Sequence, residues 1–587
     1  MLLDTGDENK EKTIHVIAIV FLIAAGLIYS LSFFGYFPVP NSDFPAFLDT
    51  GQRWLHFQIP NSMKRAPVFS IITALSGLPF SRPDRYLIGS ELYNALLLPA
   101  VMILIYMVCR KINLRGAVWI ALAAGASPWM VRLSSEPLAE LTLIAFFAAA
   151  VVCVRENIKL AYLFAALASI SRWDMAGLLP AVALADLVQN RKWGRTIILS
   201  IAASMPFILC MIITSVQLKG QTGGSHYLQV LEQDRTFELA EDLRLYWKGI
   251  MSFLNVELLQ KQPSGEQESF KTMNSVIFWI TASVLLAAFL TGAVFSFIRR
   301  QWEIIVMLIT AAPYVFIHAM YPYRLPRFCV PVQWVGLLVA VYGIEIVRRK
   351  FFDGNKRKLL ITLLSITGTA VFILWALKMG DTFINVRKYC PAIGITTVSV
   401  CLIALASFIV MEIIRRSAPS GRWLLLPAFL ILATVSSGAN IGRAMGNGKS
   451  DANFKKLAEW FLDNAKEDDK LMTTMAGFMP IFTGLPAERF LHTGSIPVED
   501  ADDFIEFIEK CSEEGVTIIA WDSRIPSADR YYKLWGLDRI KVLSAPVYGT
   551  KVDTIDRCSL VHMFTEGKPK IAIYRIMPED YFMLFED

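Results

Sequence analysis

The sequence predicts a polytopic α-helical membrane protein that ends in a C-terminal soluble α/β domain. With 55% hydrophobic residues, 18% charged residues and a mean hydropathy of +0.46, the chain is too apolar for a soluble globular protein. The apolar residues come in blocks, and most blocks approach the roughly 20 residues that a helix needs to cross a bilayer. The residues after the last block instead alternate between helix and strand periodicities.

The apolar blocks predict about thirteen transmembrane helices, and residues 1–438 are taken as the membrane domain. The longer blocks are residues 14–34, 86–108, 196–217, 275–298, 328–347, 359–377, 391–413 and 423–438. The shorter ones are residues 117–131, 137–153, 160–171 and 174–189, together with 304–321, which we expect Pro313 to break. Pro38 and Pro40 follow the first block and no small-residue cleavage site is evident, so this block is predicted to be a helix rather than a signal peptide.

The distribution of Lys and Arg predicts a cytoplasmic N-terminus and an external C-terminal domain. Every second loop is basic, which is self-consistent along the whole chain. The basic loops contain Arg110, Lys111 and Arg115; Arg155 and Lys159; Arg191, Lys192 and Arg195; Arg299 and Arg300; Arg348, Arg349, Lys350, Lys356, Arg357 and Lys358; and Arg415, Arg416 and Arg422. These loops account for much of the net charge of +6, so the composition indicates no nucleic-acid partner.

Residues 439–587 are predicted to form an external α/β domain. Residues 452–464 and Ala501–Cys511 show helical spacing, and the predicted strands are Lys470–Met475, Val516–Trp521, Ile540–Leu543, Ser559–Phe564 and Ile571–Ile576. The domain contains no glycine-rich phosphate loop and no Ser-His-Asp pattern, and we interpret His492 and His562 as structural or surface residues. It is therefore expected to recognise a partner or to stabilise the protein rather than to carry the chemistry.

The cysteine and histidine pattern predicts no metal site. The eight cysteines show no metal-ligand spacing; they are Cys109, Cys153, Cys210, Cys329, Cys390, Cys401, Cys511 and Cys558. Cys511 and Cys558 are the two in the external domain, and the sequence leaves a disulfide between them open. His226 has no partner at ligand spacing.

The loops predicted to be external are the informative ones, because the positive-inside rule predicts few charges there. The first, about residues 36–85, contains Asp43, about one turn beyond the first helix, and its spacing from Phe44 to Leu55 predicts an amphipathic helix along the membrane surface. The fourth, residues 218–274, is a long polar excursion. The second, third and fifth contain Arg132–Glu140, Ser171–Asp174 and Tyr321–Phe328. Arginine thus recurs beside acids and aromatic residues on one membrane face.

External loops that combine arginine, acidic and aromatic residues suit a substrate with a hydrophobic tail in the bilayer, a phosphate at the headgroup level and an external sugar. The planar guanidinium fork of arginine makes two charge-assisted hydrogen bonds to a phosphate. A carboxylate can take the proton of an acceptor hydroxyl, and cations can hold the charge that develops on a leaving phosphate. A polyprenyl-phosphate sugar has this chemistry.

The layout resembles the membrane glycosyltransferases of the GT-C fold, in particular the family 39 branch that contains protein O-mannosyltransferases and the lipid A aminoarabinose transferase. The resemblance in architecture covers essentially the whole chain, whereas the matching motifs are short. They are Asn41-Ser42-Asp43-Phe44, Arg65-Ala66-Pro67, Ser135-Glu136-Pro137, Arg324 with Arg327, and the tail segments Lys470–Thr474 and Phe482–Gly484. The family often has a second acid beside the first-loop acid, where this chain has Phe44.

The resemblance implies roles for particular residues. Asp43 would be the general base on the acceptor hydroxyl, and Glu136 would orient the acceptor or base or help to hold a divalent cation. The donor phosphate would bind Arg65, Arg324 and Arg327, and the further candidates are Arg172, Asp174 and Glu91.

Each of these residues also has a structural interpretation. Asp43 could cap a helix, and Glu136 could be a helix-start acid that complements the helix dipole. The arginines could snorkel to lipid headgroups, and Arg172 could simply pair with Asp174. Glu91 lies early in a predicted span, where a buried acid suggests function but a structural hydrogen bond is an equal alternative.

The function implied by the resemblance is transfer of one monosaccharide from a polyprenyl-phosphate donor to a lipid, glycan or protein acceptor. The reaction would invert the anomeric carbon at the outer face of a bacterial cytoplasmic membrane, without a nucleotide, and a divalent cation is the one cofactor left open. Two alternatives stand: a transporter or flippase of lipid-linked sugars, and a non-catalytic protein of the same fold. No internal repeat typical of transporters is evident, and the charges cluster at one face rather than at mid-span.

Overall fold

The computed structural model describes residues 5–60, 65–219, 268–319, 326–351, 383–415, 422–446, 448–496, 504–525, 540, 542–544, 546–548, 554–555, 557–567 and 569–577. The chain divides into two compact units. The first comprises Met1–Phe34, Asp49–Ile72 and Glu91–Gly446, and the second comprises Gly35–Leu48, Thr73–Ser90 and Asn447–Asp587. The second unit therefore includes two stretches of the first predicted outer loop as well as the C-terminal tail.

In the described part of the first 446 residues, all regular secondary structure is helical. The helices are α1 (Thr5–Leu31), α2 (Phe44–Leu55), α3 (Pro67–Ser76), α4 (Arg85–Lys111), α5 (Ala117–Gly125), α6 (Pro128–Ser135), α7 (Glu140–Cys153), α8 (Ile158–Ser169), α9 (Leu178–Asn190), α10 (Trp193–Lys219), α11 (Glu268–Ile298), α12 (Trp302–Ala319), α13 (Pro326–Phe351), α14 (383–389), α15 (Ala392–Arg415) and α16 (Arg422–Met445). A 3-10 helix, Trp173–Gly177, joins α8 to α9. The amphipathic helix predicted from Phe44 to Leu55 is confirmed as α2.

Several of these helices are long and apolar enough to cross a membrane, as expected for a multi-pass protein. Within the described residues they are Asn9–Leu31, Arg85–Lys111, Trp193–Val216, Arg327–Arg349 and Ala392–Ile414. The pair α6 and α7, bent by 117°, forms a sixth apolar segment if it is counted as one broken span. The figure of about thirteen spans stays a prediction, and the block 359–377 lies outside the described residues.

Two details of the predicted helices are wrong. Pro313 does not break its helix, because α12 continues through it from Trp302 to Ala319. The predicted span 117–131 is instead two short helices, α5 and α6, and Ser127 accepts the backbone N–H of Met130 at the start of α6. A proline one residue after this cap suits the first turn of a helix, where no backbone donor is lost.

The basic loops that were predicted to be cytoplasmic contact one another or the N-terminal helix. Arg110 at the end of α4 pairs with Glu11 near the start of α1 at 2.9 Å. Arg155 after α7 pairs with Glu303 at the start of α12 at 3.1 Å. Lys111 also pairs with Glu156, and Arg349 Nη2 donates to the carbonyl of Asn113 at 3.2 Å. Several of the basic loops thus lie at helix ends that contact one another.

The second unit contains a six-stranded mixed sheet in the order β2-β1-β3-β6-β5-β4. The strands are β1 (Leu471–Thr473), β2 (Phe490–His492), β3 (Ile518–Asp522), β4 (Thr554–Ile555), β5 (Cys558–Phe564) and β6 (Ile571–Ile576). β1 is parallel to β2 and β3, and the β3–β6, β6–β5 and β5–β4 pairs are antiparallel. Four of the five predicted strands are confirmed within one or two residues. The prediction for Ile540–Leu543 is wrong, because a 3-10 turn begins at Val542.

Both faces of this sheet are covered. Its helices are α17 (Ala452–Asn464), α18 (Met479–Thr483) and α19 (Phe504–Glu513). In β3 the side chains of Ile518 and Ala520 enter one core, and those of Ile519 and Trp521 enter the other, as the alternation of a strand requires. The first core also contains residues from the first predicted outer loop: Val39, Phe44, Leu48, Ala74 and Leu87.

Candidate active site

Asp43, the predicted general base, lies in a turn directly before α2 and belongs to the second unit. Its backbone N–H donates to Asn41 Oδ1 at 3.1 Å, and its carbonyl accepts the N–H of Phe47 at 3.2 Å. The next residue, Phe44, is fully buried in the core beneath the sheet. The buried ring fixes the segment, while the Asp43 side chain stays partly exposed. This is the position of a helix cap, which agrees with the structural interpretation of Asp43, and the catalytic role stays a prediction.

Arg172 is the centre of an ion cluster in the first unit. Its Nη2 donates to Asp174 Oδ2 at 2.8 Å and its Nη1 donates to Glu140 Oε1 at 2.6 Å. On the far side of Asp174, His318 Nε2 lies 2.9 Å from Oδ2. The predicted pairing of Arg172 with Asp174 is therefore confirmed, and two further groups from α7 and α12 join it.

Arg172 and Asp174 form an ion pair within this cluster. Burial raises the pKa of the Asp174 carboxyl, but the charge of Arg172 and the hydrogen bond from His318 lower it by more, so the pKa lies below its usual range. Burial likewise lowers the pKa of Arg172, and its neighbours, above all Asp174, raise it well above the ordinary value. Because the Asp174 carboxylate can only accept hydrogen bonds, His318 Nε2 is the donor in their contact.

An aromatic ring completes this cluster. The guanidinium carbons of Arg172 and Arg327 lie 5.3 and 5.0 Å from the centre of the Phe328 ring. His318 stacks on the same ring with the centroids 5.5 Å apart, and Tyr314 donates its hydroxyl to the Phe328 carbonyl at 2.8 Å. Phe328 thus links Arg327, a predicted phosphate ligand, to the Arg172 cluster. Arg324 lies outside the described residues.

Arg65 lies in the segment that leads into α3. The backbone N–H of Val68, in the first turn of α3, donates to the carbonyl of Ile170 at 3.2 Å. Ile170 stands two residues before Arg172. Val68 of the first predicted outer loop thus contacts the end of the chain segment that leads into the third loop, and Arg65 lies three residues before Val68.

Glu136 lies at the elbow, the bend between α6 and α7, whereas Glu91 lies in α4. Glu136 is buried and accepts from Arg132 Nε at 2.8 Å, and Arg132 Nη1 also donates to the carbonyl of Ala444 at 2.8 Å. Asn94, one turn after the buried Glu91 in α4, donates to the carbonyl of Leu133 at 3.0 Å. The helix-start interpretation of Glu136 is wrong, because Glu136 follows the last residue of α6. Glu140 is the acid that begins the next helix.

The structure therefore brings together residues from three of the predicted outer loops. Glu140 comes from the second loop, Arg172 and Asp174 from the third, and Phe328 from the fifth. Sequence reasoning did not single out Glu140 or His318 as site residues. The available signal for His318 was a histidine within an otherwise apolar span, and for Glu140 it was an acid at the start of one.

The described residues contain no group of three or more His, Cys, Asp or Glu side chains arranged to hold a metal ion. The side chains around Arg172 do not fit a cation site, because the guanidinium already occupies the space between the two carboxylates. The two histidines of the tail have structural contacts. His492 Nδ1 accepts the N–H of Gly494 at 3.0 Å, and His562 stacks on Trp460 at 6.0 Å between centroids.

Comparison with known proteins finds similarity at the level of structure. No protein-family model and no curated protein sequence matches this chain. The crystal structure of ArnT from Cupriavidus metallidurans bound to undecaprenyl phosphate aligns over 94% of this chain and 97% of its own, at 12% identity with a TM-score of 0.54. The apo form of that protein aligns over 95% and 97%, at 11% identity with a TM-score of 0.47. The archaeal oligosaccharyltransferase AglB from Archaeoglobus fulgidus, in complex with an inhibitory peptide and a dolichol-phosphate, aligns over 90% and 72%, at 10% identity with a TM-score of 0.48.

Proposed function

Since the chain has the GT-C fold of ArnT, we propose that it is a glycosyltransferase that moves one sugar from a polyprenyl-phosphate carrier to a lipid, glycan or protein acceptor. The observation that carries the proposal is the alignment over nearly the full length of both chains with a structure that contains undecaprenyl phosphate. The active site would face the outside of a bacterial cytoplasmic membrane, as the positive-inside pattern predicts.

In the proposed reaction, Asp43 takes the proton of the acceptor hydroxyl while its oxygen attacks the anomeric carbon. The bond between that carbon and the phosphate oxygen breaks, and polyprenyl phosphate leaves with the electron pair. Attack opposite the leaving group inverts the anomeric centre. A partly exposed carboxylate on a segment anchored by a buried Phe44 suits a base that must meet a substrate without moving.

Cationic side chains would stabilise the leaving phosphate. Arg327 lies over the Phe328 ring beside the Arg172 cluster, and Arg65 and Arg324 are proposed as further phosphate ligands. Arg172 itself is engaged by two carboxylates, so we assign it, with Asp174, to holding the geometry of the site. Glu136 and Glu91 would help to maintain the conformation of the bend between α6 and α7.

The test is reconstitution of the purified protein with a panel of polyprenyl-phosphate monosaccharides and membrane extract, measuring released polyprenyl phosphate. We expect Asp43→Asn to lower the release rate by about 100-fold or more, the scale of lost general base catalysis. Asp49→Asn is the matched control, because Asp49 lies in α2, the helix that follows Asp43, is exposed and pairs with Arg53 at 3.2 Å. Each variant is assayed with and without a chelator.

Release that Asp43→Asn abolishes and Asp49→Asn preserves would establish the donor class and the base, and the productive donor would identify the sugar. No release from any donor, or equal release from Asp43→Asn and wild type, would contradict the proposal. The function would then be transport of lipid-linked sugars or a non-catalytic role.

A further inference from the structure

Glu140 has one carboxylate oxygen that is anchored and one that is not. The residue begins α7 and is 2% exposed. Its Oε1 accepts from Arg172 Nη1 at 2.6 Å. Its Oε2 is buried as well, and it receives no hydrogen bond from any residue that the structure describes. Buried oxygens of this kind are rare in native proteins, and each one requires a physical explanation.

Glu303 provides a direct comparison. It also lies in the first turn of a helix, is 1% exposed and pairs with an arginine. Its Oε1 lies 3.1 Å from Arg155 Nε, and its Oε2 accepts from Gln301 Nε2 at 3.1 Å. The same side chain, also in the first turn of a helix, therefore has a partner at each of its two oxygens at the opposite end of α12. The open oxygen is a property of the end where the Arg172 cluster lies.

The charges around Glu140 define what its free oxygen can bind. Glu140 and Asp174 place two carboxylates around one guanidinium, so an anion such as phosphate is disfavoured as the direct partner of Glu140 Oε2. A carboxylate oxygen accepts hydrogen bonds, so the missing partner is a donor. A hydroxyl group is a neutral donor that a buried carboxylate holds well.

The position of Arg327 identifies the substrate part that carries this hydroxyl. Arg327, a proposed phosphate ligand, and Arg172, the partner of Glu140, lie over the same Phe328 ring at 5.0 and 5.3 Å. In the donor the sugar is bonded directly to the phosphate. A phosphate held at Arg327 would therefore put the sugar near the Phe328 ring, which Arg172, the partner of Glu140, also contacts.

We infer that Glu140 Oε2 accepts a hydrogen bond from one hydroxyl of the transferred sugar, which makes Glu140 a specificity-determining residue. The inference rests on the proposed function. A site built to hydrogen-bond a substrate hydroxyl rejects the analogue that lacks it, because the buried group is then left without a partner.

The test compares the productive polyprenyl-phosphate sugar with its monodeoxy analogues. For wild type we expect kcat/KM for one analogue to be at least about 100-fold below that of the parent sugar. Glu140→Gln keeps an oxygen for Arg172 but replaces the free acceptor by an amide, so the ratio should fall to about threefold or less. Glu303→Gln is the control and should keep the wild-type ratio.

The outcomes separate recognition from structure. If Glu140→Gln lowers the rates for parent and analogues equally, Glu140 only anchors Arg172 and the inference is overturned. It is also overturned if wild type does not discriminate against any analogue. Should Glu140→Gln unfold, as judged by its melting temperature, Glu140→Asp provides the second variant, and loss of the same ratio is expected.

This result is independent of the test of the base. Release that depends on Asp43 but shows an unchanged ratio in Glu140→Gln overturns only the role of Glu140. No release from any donor overturns both assignments.

Discussion

At one end of the first unit Arg110 meets Glu11 in the open, whereas at the other end Arg172 is enclosed by Glu140 and Asp174. The Arg110 and Glu11 side chains are 41% and 72% exposed, and those of Arg172 and Glu140 are 18% and 3% exposed. The exposed pair lies at a basic loop and joins two helices. The enclosed cluster joins α7, α12 and the loop before α9.

The two ends differ in how far their charged side chains are removed from water. An exposed pair gains little Coulomb energy because water and salt screen it. In a buried cluster each ion pair has a larger Coulomb energy, but this energy has to offset the desolvation penalty of several charges. Buried acids also occur at the basic-loop end, where Glu303 has a partner at each oxygen, so the open Oε2 of Glu140 is what distinguishes the Arg172 cluster.

The largest effect is expected from Arg172→Ala. The substitution leaves the carboxylates of Glu140 and Asp174 buried without their cation, which typically costs about 3–5 kcal/mol of unfolding free energy. Chemical unfolding in detergent, with Arg110→Ala measured alongside, would show the contrast. Similar losses for the two variants would remove the distinction between the ends.

A smaller effect is expected from Phe328→Leu. The ring is shared by Arg172, Arg327 and His318, so its loss should cost about 1–3 kcal/mol from cation–π contacts and packing. Phe295→Leu is the control, because Arg299 lies 5.7 Å from that ring at the opposite end and is exposed. Melting temperatures of the two variants would rank them, and the reverse order would contradict the shared role of Phe328.

The smallest effect is expected from Glu11→Gln. Its pair with Arg110 is exposed, so the unfolding free energy should fall by less than about 1 kcal/mol. The loss should also shrink at high salt, where surface charges are screened. Unfolding measured at low and high ionic strength gives the comparison, and a large loss that salt does not change would show that this end is also a buried network.

The sequence allowed prediction of elements whose signal is local. The amphipathic run from Phe44 to Leu55 became α2, and the strand patterns of the tail became β1, β3, β5 and β6. The pairing of Arg172 with Asp174 was predicted because the two residues are neighbours in the chain. Ile540–Leu543 was wrong because a short apolar run does not by itself distinguish a strand from a turn.

The rest depends on contacts that are distant in sequence. Glu140 is 32 positions from its partner Arg172, and His318 is 144 positions from its partner Asp174. The periodicity of the sequence gives no information about contacts at such separations. Pro313 was expected to break its helix, yet α12 continues through it, and Gly177 packs close to the Pro313 ring. The place of Asp43 relative to these groups stays a prediction, because Asp43 belongs to the second unit and the cluster to the first.

The core shared by Phe44, Leu48 and the tail sheet has a consequence for biosynthesis. Phe44 leaves the ribosome more than four hundred residues before Phe478 and Met479, its partners in that core. Contacts of such high sequence separation form late, and domains fold as units during synthesis. The segment that holds Asp43 therefore acquires its final shape only after the strands of the tail sheet have been made, so a nascent chain cannot hold its proposed base in place before β6 is synthesised.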